Sequence, residues 1–163
     1  MARRVFFSFH YDRDIRRVVQ VRNSWIVRAH GETQPFLDKA DWESIKRRGD
    51  AAIEKWIEDQ LHGTSVTAVL IGAETADRRW VRHEIRRSYE LGKGIVGVYI
   101  HHVKDPNVGT DVAGANPLDY WKVKSNGIAT PISRYYRTYD WVADNGYANF
   151  ASWVESADQA AGR

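Results

Sequence analysis

Val66 to Ile71 is a short, nearly unbroken apolar run rich in β-branched residues, the pattern of a strand buried on both faces. Gly72 ends the run and a polar loop follows. From about Arg78 the spacing predicts a helix, on which Trp80, Glu84 and Ser88 recur every four residues and therefore share one side. A helix that begins just past the carboxyl end of a buried parallel strand aims its first turns at the crevice where open α/β sheets bind ligands. Glu84 is thereby brought to that crevice, one turn after an indole.

The flanking segments extend this unit into a layered α/β pattern. Arg4 to Phe9 reads as a first strand, and His10 to Asp14 as a loop with Asp12 or Asp14 as the N-cap of a helix. Ile15, Val18, Val19, Arg22, Trp25 and Ile26 give that helix its period, to about Ala29. His30 to Pro35 breaks it. Phe36 and Leu37 form a short second strand ending at Asp38, and Ala40 to Glu43 a loop with room for one helical turn. Asp50 opens an amphipathic helix through Ile53, Trp56, Ile57 and Leu61, closed by His62 and Gly63. After the helix that carries Glu84, which ends at Leu91-Gly92, Ile95 to Ile100 is a fourth strand. This alternation predicts one domain over 1–163, a parallel sheet with helices on both faces. Residues 104–137 are an irregular excursion rich in Gly, Asn, Asp and Pro, a kind of loop that is usually functional or interfacial. Thr138 to Trp141 reads as an edge strand, and Tyr147, Phe150, Ala151, Val154 and Ala157 as a closing helix.

Several function classes are disfavoured by composition. The chain has 163 residues and no cysteine, so disulfides, thiolate chemistry and Cys-ligated zinc are excluded, which fits a cytoplasmic location. Met1 to Phe7 places basic residues before apolar ones, but the apolar stretch is too short for a secretion signal. No apolar run is long enough to span a membrane. The net charge of +3 comes from short basic patches interrupted by acids, better read as solvated helix faces than as a nucleic-acid surface. A mild positive field still favours an anionic small molecule. Seven tryptophans exceed what packing needs and point to stacking sites or interfaces.

Gly92-Lys93-Gly94-Ile95-Val96-Gly97 matches the dinucleotide glycine fingerprint, but it lies between a helix and a following strand rather than the reverse. It reads better as a helix C-cap and a close-packed strand entry. There is no P-loop, no Ser/Thr-rich flavin-phosphate turn after the first strand, and no receiver aspartate where Gly72 stands. No metal site is expected: His83-Glu84 lacks a second histidine at helical spacing, and His101-His102 are read as alternating across a strand.

Two places remain to be joined. Ser8-Phe9-His10-Tyr11 ends the first strand, and Trp80 to Glu84 opens the helix after the third. In a flavodoxin-like sheet of order 2-1-3-4-5 these strands are neighbours flanking the switch-point crevice. The phrases RVFFSFHY, GTSVTAVLIGAETADRRWVRHEI and YDWVADNGYANFASWV together resemble the TIR-like proteins of bacterial Thoeris antiphage systems, over almost the whole chain. The spacing of Trp80 and Glu84 is also similar to that of the broader TIR family, whose NAD-cleaving members carry a glutamate there. Phe36-Leu37-Asp38 with Asp41-Trp42-Glu43 resembles the family's loop over the cleft. NAD-cleaving TIR domains often carry basic residues after the first strand, where His10 and Tyr11 stand here.

The resemblance implies a TIR-type fold and an NAD+ glycohydrolase or ADP-ribosyl cyclase. Such an enzyme would cleave the nicotinamide–ribose bond and make a cyclic ADP-ribose isomer that switches on a separate NAD-depleting effector. It implies NAD as substrate and no other cofactor, while the residues themselves lead to the expectation of no metal, no nucleic acid and no membrane, with room for a homo-oligomer and for activity that awaits infection. Glu84 is the expected catalytic residue, with Ser8, Phe9, His10, Tyr11, Asp38, Trp42 and Trp80 as substrate contacts. Each has a plainer reading: Glu84 paired with Arg87 or Ser88 on a solvated face, Trp80 in the core, and Ser8 capping a turn. His10 could equally serve the loop's own hydrogen bonds, and Asp38 an Asx-turn. Trp42 is the aromatic expected to be partly exposed. The rival from another class is a non-catalytic TIR module that works by assembly or recognition.

Overall fold

The computed structural model describes residues 3–35 and 39–162. Its centre is a five-stranded parallel sheet built from β1 (Arg4–Ser8), β2 (Glu32–Thr33), β3 (Val66–Ile71), β4 (Gly94–Tyr99) and a last strand, β7 (Thr138–Asp140). The strand order is β2-β1-β3-β4-β7, so the expected 2-1-3-4-5 topology is realised with β7 as its fifth member. Helices α1 (Tyr11–Ala29), α2 (Lys39–Arg47), α3 (Asp50–Leu61), α4 (Arg79–Glu90) and α5 (Gly146–Ala160) cover the two faces.

Strand alternation decides which helix meets which side chain. Val5 and Phe7 of β1, with Ala68, Leu70, Val96 and Val98, pack against Val18, Val21 and Trp25 of α1 and Phe150, Trp153 and Val154 of α5. Val69 and Ile71 point the other way, onto Val81 and Ile85 of α4. Phe6, also on this second face, is packed by Ile45 of α2 and by Ile53, Ile57 and Leu61 of α3. Side chains as fully buried as Phe6 and Leu70 each contribute about 1.5–3 kcal/mol of transfer free energy, before the entropy of ordering them is counted. Ser8, two residues after Phe6, necessarily faces α4 as well.

Some local expectations are corrected. α1 is entered through His10 in an extended conformation, with no side-chain cap; Asp12 and Asp14 lie inside its first turn instead. Asp14 is buried, paired with Arg17 at 3.1 Å, and its carboxylate lies where a β-carbon at Gly72 would be, 2.1 Å from Oδ2. The second strand pairs at Arg4↔Glu32 and Val5↔Thr33, earlier than Phe36-Leu37, whose segment lies outside the described residues. The Gln34 side chain prolongs that pairing, accepting from the Phe7 N–H at 3.0 Å and donating to the Phe7 carbonyl at 2.9 Å. Trp42 lies on a true helix, α2, rather than on a loop.

Residues 104–137 hold more structure than their composition suggests. They contain the antiparallel hairpin β5 (Lys122–Ser125) and β6 (Ile128–Pro131), turned at Asn126 and Gly127, both with positive φ. An Asn-Gly pair suits such a two-residue turn because both positions require the left-handed region. Leu118 and Ile132, in short 3₁₀ turns on either side of the hairpin, are buried against the α4 face. The glycine fingerprint resolves as expected from its order: Gly92, with φ of 70°, follows the end of α4, and Gly94 enters β4 so close to α5 that a β-carbon would lie 2.6 Å from the Ala157 carbonyl.

Candidate active site

At the carboxyl end of β1, a cavity of about 400 Å3 opens between the β1–α1 junction, α2, α3 and the start of α4. Glu84 lines it while only 8% exposed. The position follows from the sequence in two steps. β1 and β3 are adjacent, with Ser8 opposite Val69 and Phe6 opposite Thr67, and alternation turns Ser8 and Thr67 toward α4. On α4, Glu84 and Ser88 are one turn apart on the side that meets them. Ser8 Oγ donates to Glu84 Oε1 at 2.8 Å, and the Ser88 and Thr67 hydroxyls lie 2.7 Å apart. A short polar seam thus runs through an otherwise apolar helix–sheet interface.

Among the described residues, the carboxyl of Glu84 has no cation beside it. Burial pushes its pKa from 4.5 to about 8, against the smaller opposing pull of the Ser8 hydroxyl. The plainer reading, a solvated Glu84 paired with Arg87 or Ser88, does not describe this structure. Arg87 pairs with Glu58 at 2.6 Å, and Ser88 Oγ donates to the Glu84 backbone carbonyl, not to its side chain.

Aromatic rings line much of the cavity. Phe9 and Tyr11 stack with centroids 6.1 Å apart, and Trp42 stands 6.2 Å from Trp56. Trp80 lines the cavity one turn before Glu84, with the Arg79 guanidinium 4.5 Å over its ring. Tyr11 and Trp42 are half-buried, as is Trp80. His10 is buried beside these rings, its pKa lowered first by burial and then by the charge of Arg78, so it is neutral near pH 7. Its Nδ1 finds no hydrogen-bond partner among the described residues. Of the site residues expected from sequence, Phe9, His10, Tyr11, Trp42, Trp80 and Glu84 line one cavity. Ser8 stands behind it, wholly buried, and reaches it only through Glu84. Asp38 lies outside the described residues.

Among the described residues, three cationic side chains line the same cavity: Lys46 on α2, and Arg78 and Arg79 at the start of α4. Lys46 is held by Glu43 at 2.9 Å, and Arg79 is bonded to Asp50. Arg78 is exposed and makes no ion pair among the described residues. It occupies the N-cap of α4, which has neither a side-chain cap nor an acid in its first turn. The amino end of that helix therefore presents first-turn N–H groups with no side-chain cap beside the exposed charge of Arg78, a favourable place for an anion. The sequence reading places both Arg78 and Lys46 in solvated basic patches and does not mark Trp56 or Gln34 as site residues. The helical period of α3 does mark Trp56; what it cannot show is that its ring meets Trp42.

His101 and His102 correct another expectation. β4 ends at Tyr99, so the pair lies in a turn rather than in a strand, and the two rings come together with centroids 4.0 Å apart.

Comparison with known proteins agrees with this architecture. Residues 6–105, well over half of the chain, match the model of the family described as "Thoeris protein ThsB, TIR-like domain". A protein of Bacillus cereus (strain MSX-D12), named "Putative cyclic ADP-D-ribose synthase ThsB1", is 38% identical over 191 aligned positions covering 94% of this chain and 100% of that protein. No helix among the described residues is long and apolar enough to cross a membrane. A doubly covered parallel sheet, a matched segment running from β1 past β4, and a full-length relative lead to one conclusion: the chain belongs to the ThsB family of TIR-like Thoeris proteins.

Proposed function

We propose that the protein binds NAD in the aromatic cavity, breaks its nicotinamide–ribose bond and closes the remaining ADP-ribose into a cyclic signal. The observation that carries this reading is Glu84: a buried carboxyl that faces a cavity, is oriented by Ser8, and has no cation beside it among the described residues. The name of the Bacillus cereus relative, "Putative cyclic ADP-D-ribose synthase ThsB1", agrees with it.

The chemistry suits such a group. NAD carries a positive charge on its nicotinamide ring, and its approach supplies the cation that Glu84 lacks, drawing the proton off the carboxyl. When the glycosidic bond breaks, its electron pair goes to the nicotinamide nitrogen and positive charge moves to the ribose ring. An adjacent carboxylate stabilises that oxocarbenium-like transition state without needing to transfer a proton. The departing nicotinamide or the adenine would stack on rings such as Trp80, Tyr11 and Trp42. The pyrophosphate would lie at the start of α4, beside Arg78 and the N–H groups of the first turn. For cyclisation, a nucleophile from the substrate itself attacks the ribose carbon and loses its proton, which requires the dinucleotide to fold back with water excluded. NAD enters here as substrate and not as a resident cofactor. The product would reach a separate NAD-depleting effector by diffusion, and a homo-oligomer is compatible with the same site.

The test is direct. Protein incubated with NAD should release nicotinamide, and Glu84→Gln, which keeps the shape of the side chain, should not. Where turnover awaits infection, NAD binding followed by quenching of tryptophan fluorescence still reports the cavity. No quenching by NAD at millimolar concentration would refute the substrate assignment.

A further inference from the structure

At the other end of the sheet rim, on the β4–β7 side, the chain brings together His101, His102 and Asp140. Tyr99 and Asp140 are paired residues of β4 and β7, and both strands end there. One ring nitrogen from each histidine and one carboxylate oxygen of Asp140 all lie within 4.8 Å of one another. We propose that these three side chains form a binding site for a divalent transition-metal ion such as Zn2+.

Three features favour a metal over a chance cluster. Asp140 is held rather than loose: its Oδ1 accepts the backbone N–H groups of Val142 and Ala143, both at 3.0 Å, leaving the other oxygen uncommitted among the described residues. Carboxylates fixed in this way are the usual form of an oriented metal ligand. His101 is 7% exposed, packs edge-on against Tyr99 at 5.8 Å, and its Nδ1 has no hydrogen-bond partner among the described residues. A buried imidazole nitrogen without a partner costs free energy that a bound ion would recover. His102 is exposed, so an ion can enter and the ring can move.

The donor set narrows the ion. Two imidazoles and one carboxylate, with no thiolate in the chain, suit Zn2+, Co2+ or Ni2+ rather than Cu+ or an all-oxygen cation. Metal–ligand bonds of about 2.0–2.2 Å put neighbouring donors roughly 3–3.6 Å apart, inside the 4.8 Å that contains these three, and the exposed His102 ring can settle onto the ion by a small movement. That movement and a coordination shell completed by water predict micromolar affinity, not a permanently filled structural site. An ion there would tie the turn after β4 to the end of β7. The adjoining segment already leans on α1, where Arg17 donates to the carbonyls of Val103 and Gly109, both at 2.9 Å. The site is remote in function from the Glu84 cavity, none of whose lining residues it shares, and it does not depend on the reading of that cavity.

The experiment uses the full chain without an affinity tag, stripped with a chelator and titrated with Zn2+ by calorimetry and with Co2+ by visible absorption. The expected result is one equivalent bound at micromolar affinity, with ligand-field bands of a nitrogen–oxygen site. His102→Ala and Asp140→Asn should each weaken binding by at least about tenfold. His62→Ala, which removes an exposed histidine elsewhere, should leave it unchanged. Zn2+ should raise the melting temperature of the parent protein but not of His102→Ala, and circular dichroism confirms that each variant is folded. Equal binding by the parent and both variants would mean an adventitious ion only and would overturn the proposal, as would the absence of binding below millimolar Zn2+.

Discussion

Asp14 and Glu84 are both buried at the carboxyl-end rim of the sheet, on opposite faces, and burial raises the pKa of each. Asp14 meets a guanidinium: Arg17, 1% exposed, lies 3.1 Å away and is further bound to two backbone carbonyls. Glu84 meets a hydroxyl and a cavity. A carboxylate whose counter-charge is built in holds the fold together, because removing either partner strands the other in a medium that cannot solvate it. A carboxyl without a counter-charge is costly to ionise until a cation comes from outside. The first arrangement is structural. The second suits a substrate that itself brings the positive charge.

This contrast can be broken most severely at Glu84. Glu84→Gln is expected to lower nicotinamide release by about 1000-fold or more while leaving the fold intact, measured by steady-state turnover and circular dichroism. Asp14→Asn should do the reverse. It takes from the buried Arg17 its nearer charge partner, leaving Asp111 at 3.7 Å, and is expected to cost up to about 3–5 kcal/mol in urea unfolding, with little change in turnover per folded molecule.

A pH series sharpens the same comparison. The carboxyl of Glu84 titrates near 4.5 when unfolded and at about 8 in the folded protein. Between those values the folded state keeps a proton that the unfolded state has lost, so this group's contribution to stability falls as pH rises from about 4.5 to 8 and is level above. Glu84→Gln lacks that slope, so its stability advantage over the parent should grow to a few kcal/mol, on the order expected from the shift, by pH 8. Catalysis should run oppositely: kcat/KM rises with pH through about 8 as the free enzyme's carboxylate forms. Removing the Ser8 hydroxyl takes away the bond that favours the ionised form, so Ser8→Ala should move that midpoint upward and reduce turnover at pH 7 by about tenfold. The smallest effect is expected at the cavity mouth, where Arg78→Gln should raise KM for NAD several-fold with kcat nearly unchanged.

The sheet and its covering helices were legible because their signals reinforce one another. The apolar run of Val66–Ile71, the four-residue spacing on α4 and the short connections all fit one topology. Segments held by backbone pairing or by single contacts were harder. β2 is a two-residue edge strand of polar residues extended by the Gln34 amide, and no periodicity marks it. α2 carries only Trp42 and Ile45 as large apolar residues, too few to announce a helix. The hairpin turned at Asn126-Gly127 did carry a recognisable turn signal, masked by the irregular composition around it. At the site, spacing on α4 brings Glu84 to the crevice and the resemblance to TIR proteins marks it as the expected catalyst, but the hydrogen bond from Ser8 depends on register and face together. The meeting of His101 with His102 depends on β4 ending one residue sooner than its apolar run, at Tyr99 rather than Ile100.

The most direct measurement is mass spectrometry of small molecules from phage-infected cells that carry either the parent protein or Glu84→Gln at equal abundance. With the parent, NAD should yield nicotinamide and a cyclised ADP-ribose; with Glu84→Gln, neither should rise above background. The same cyclised nucleotide at similar levels from both proteins would show that the buried carboxyl is not the catalyst.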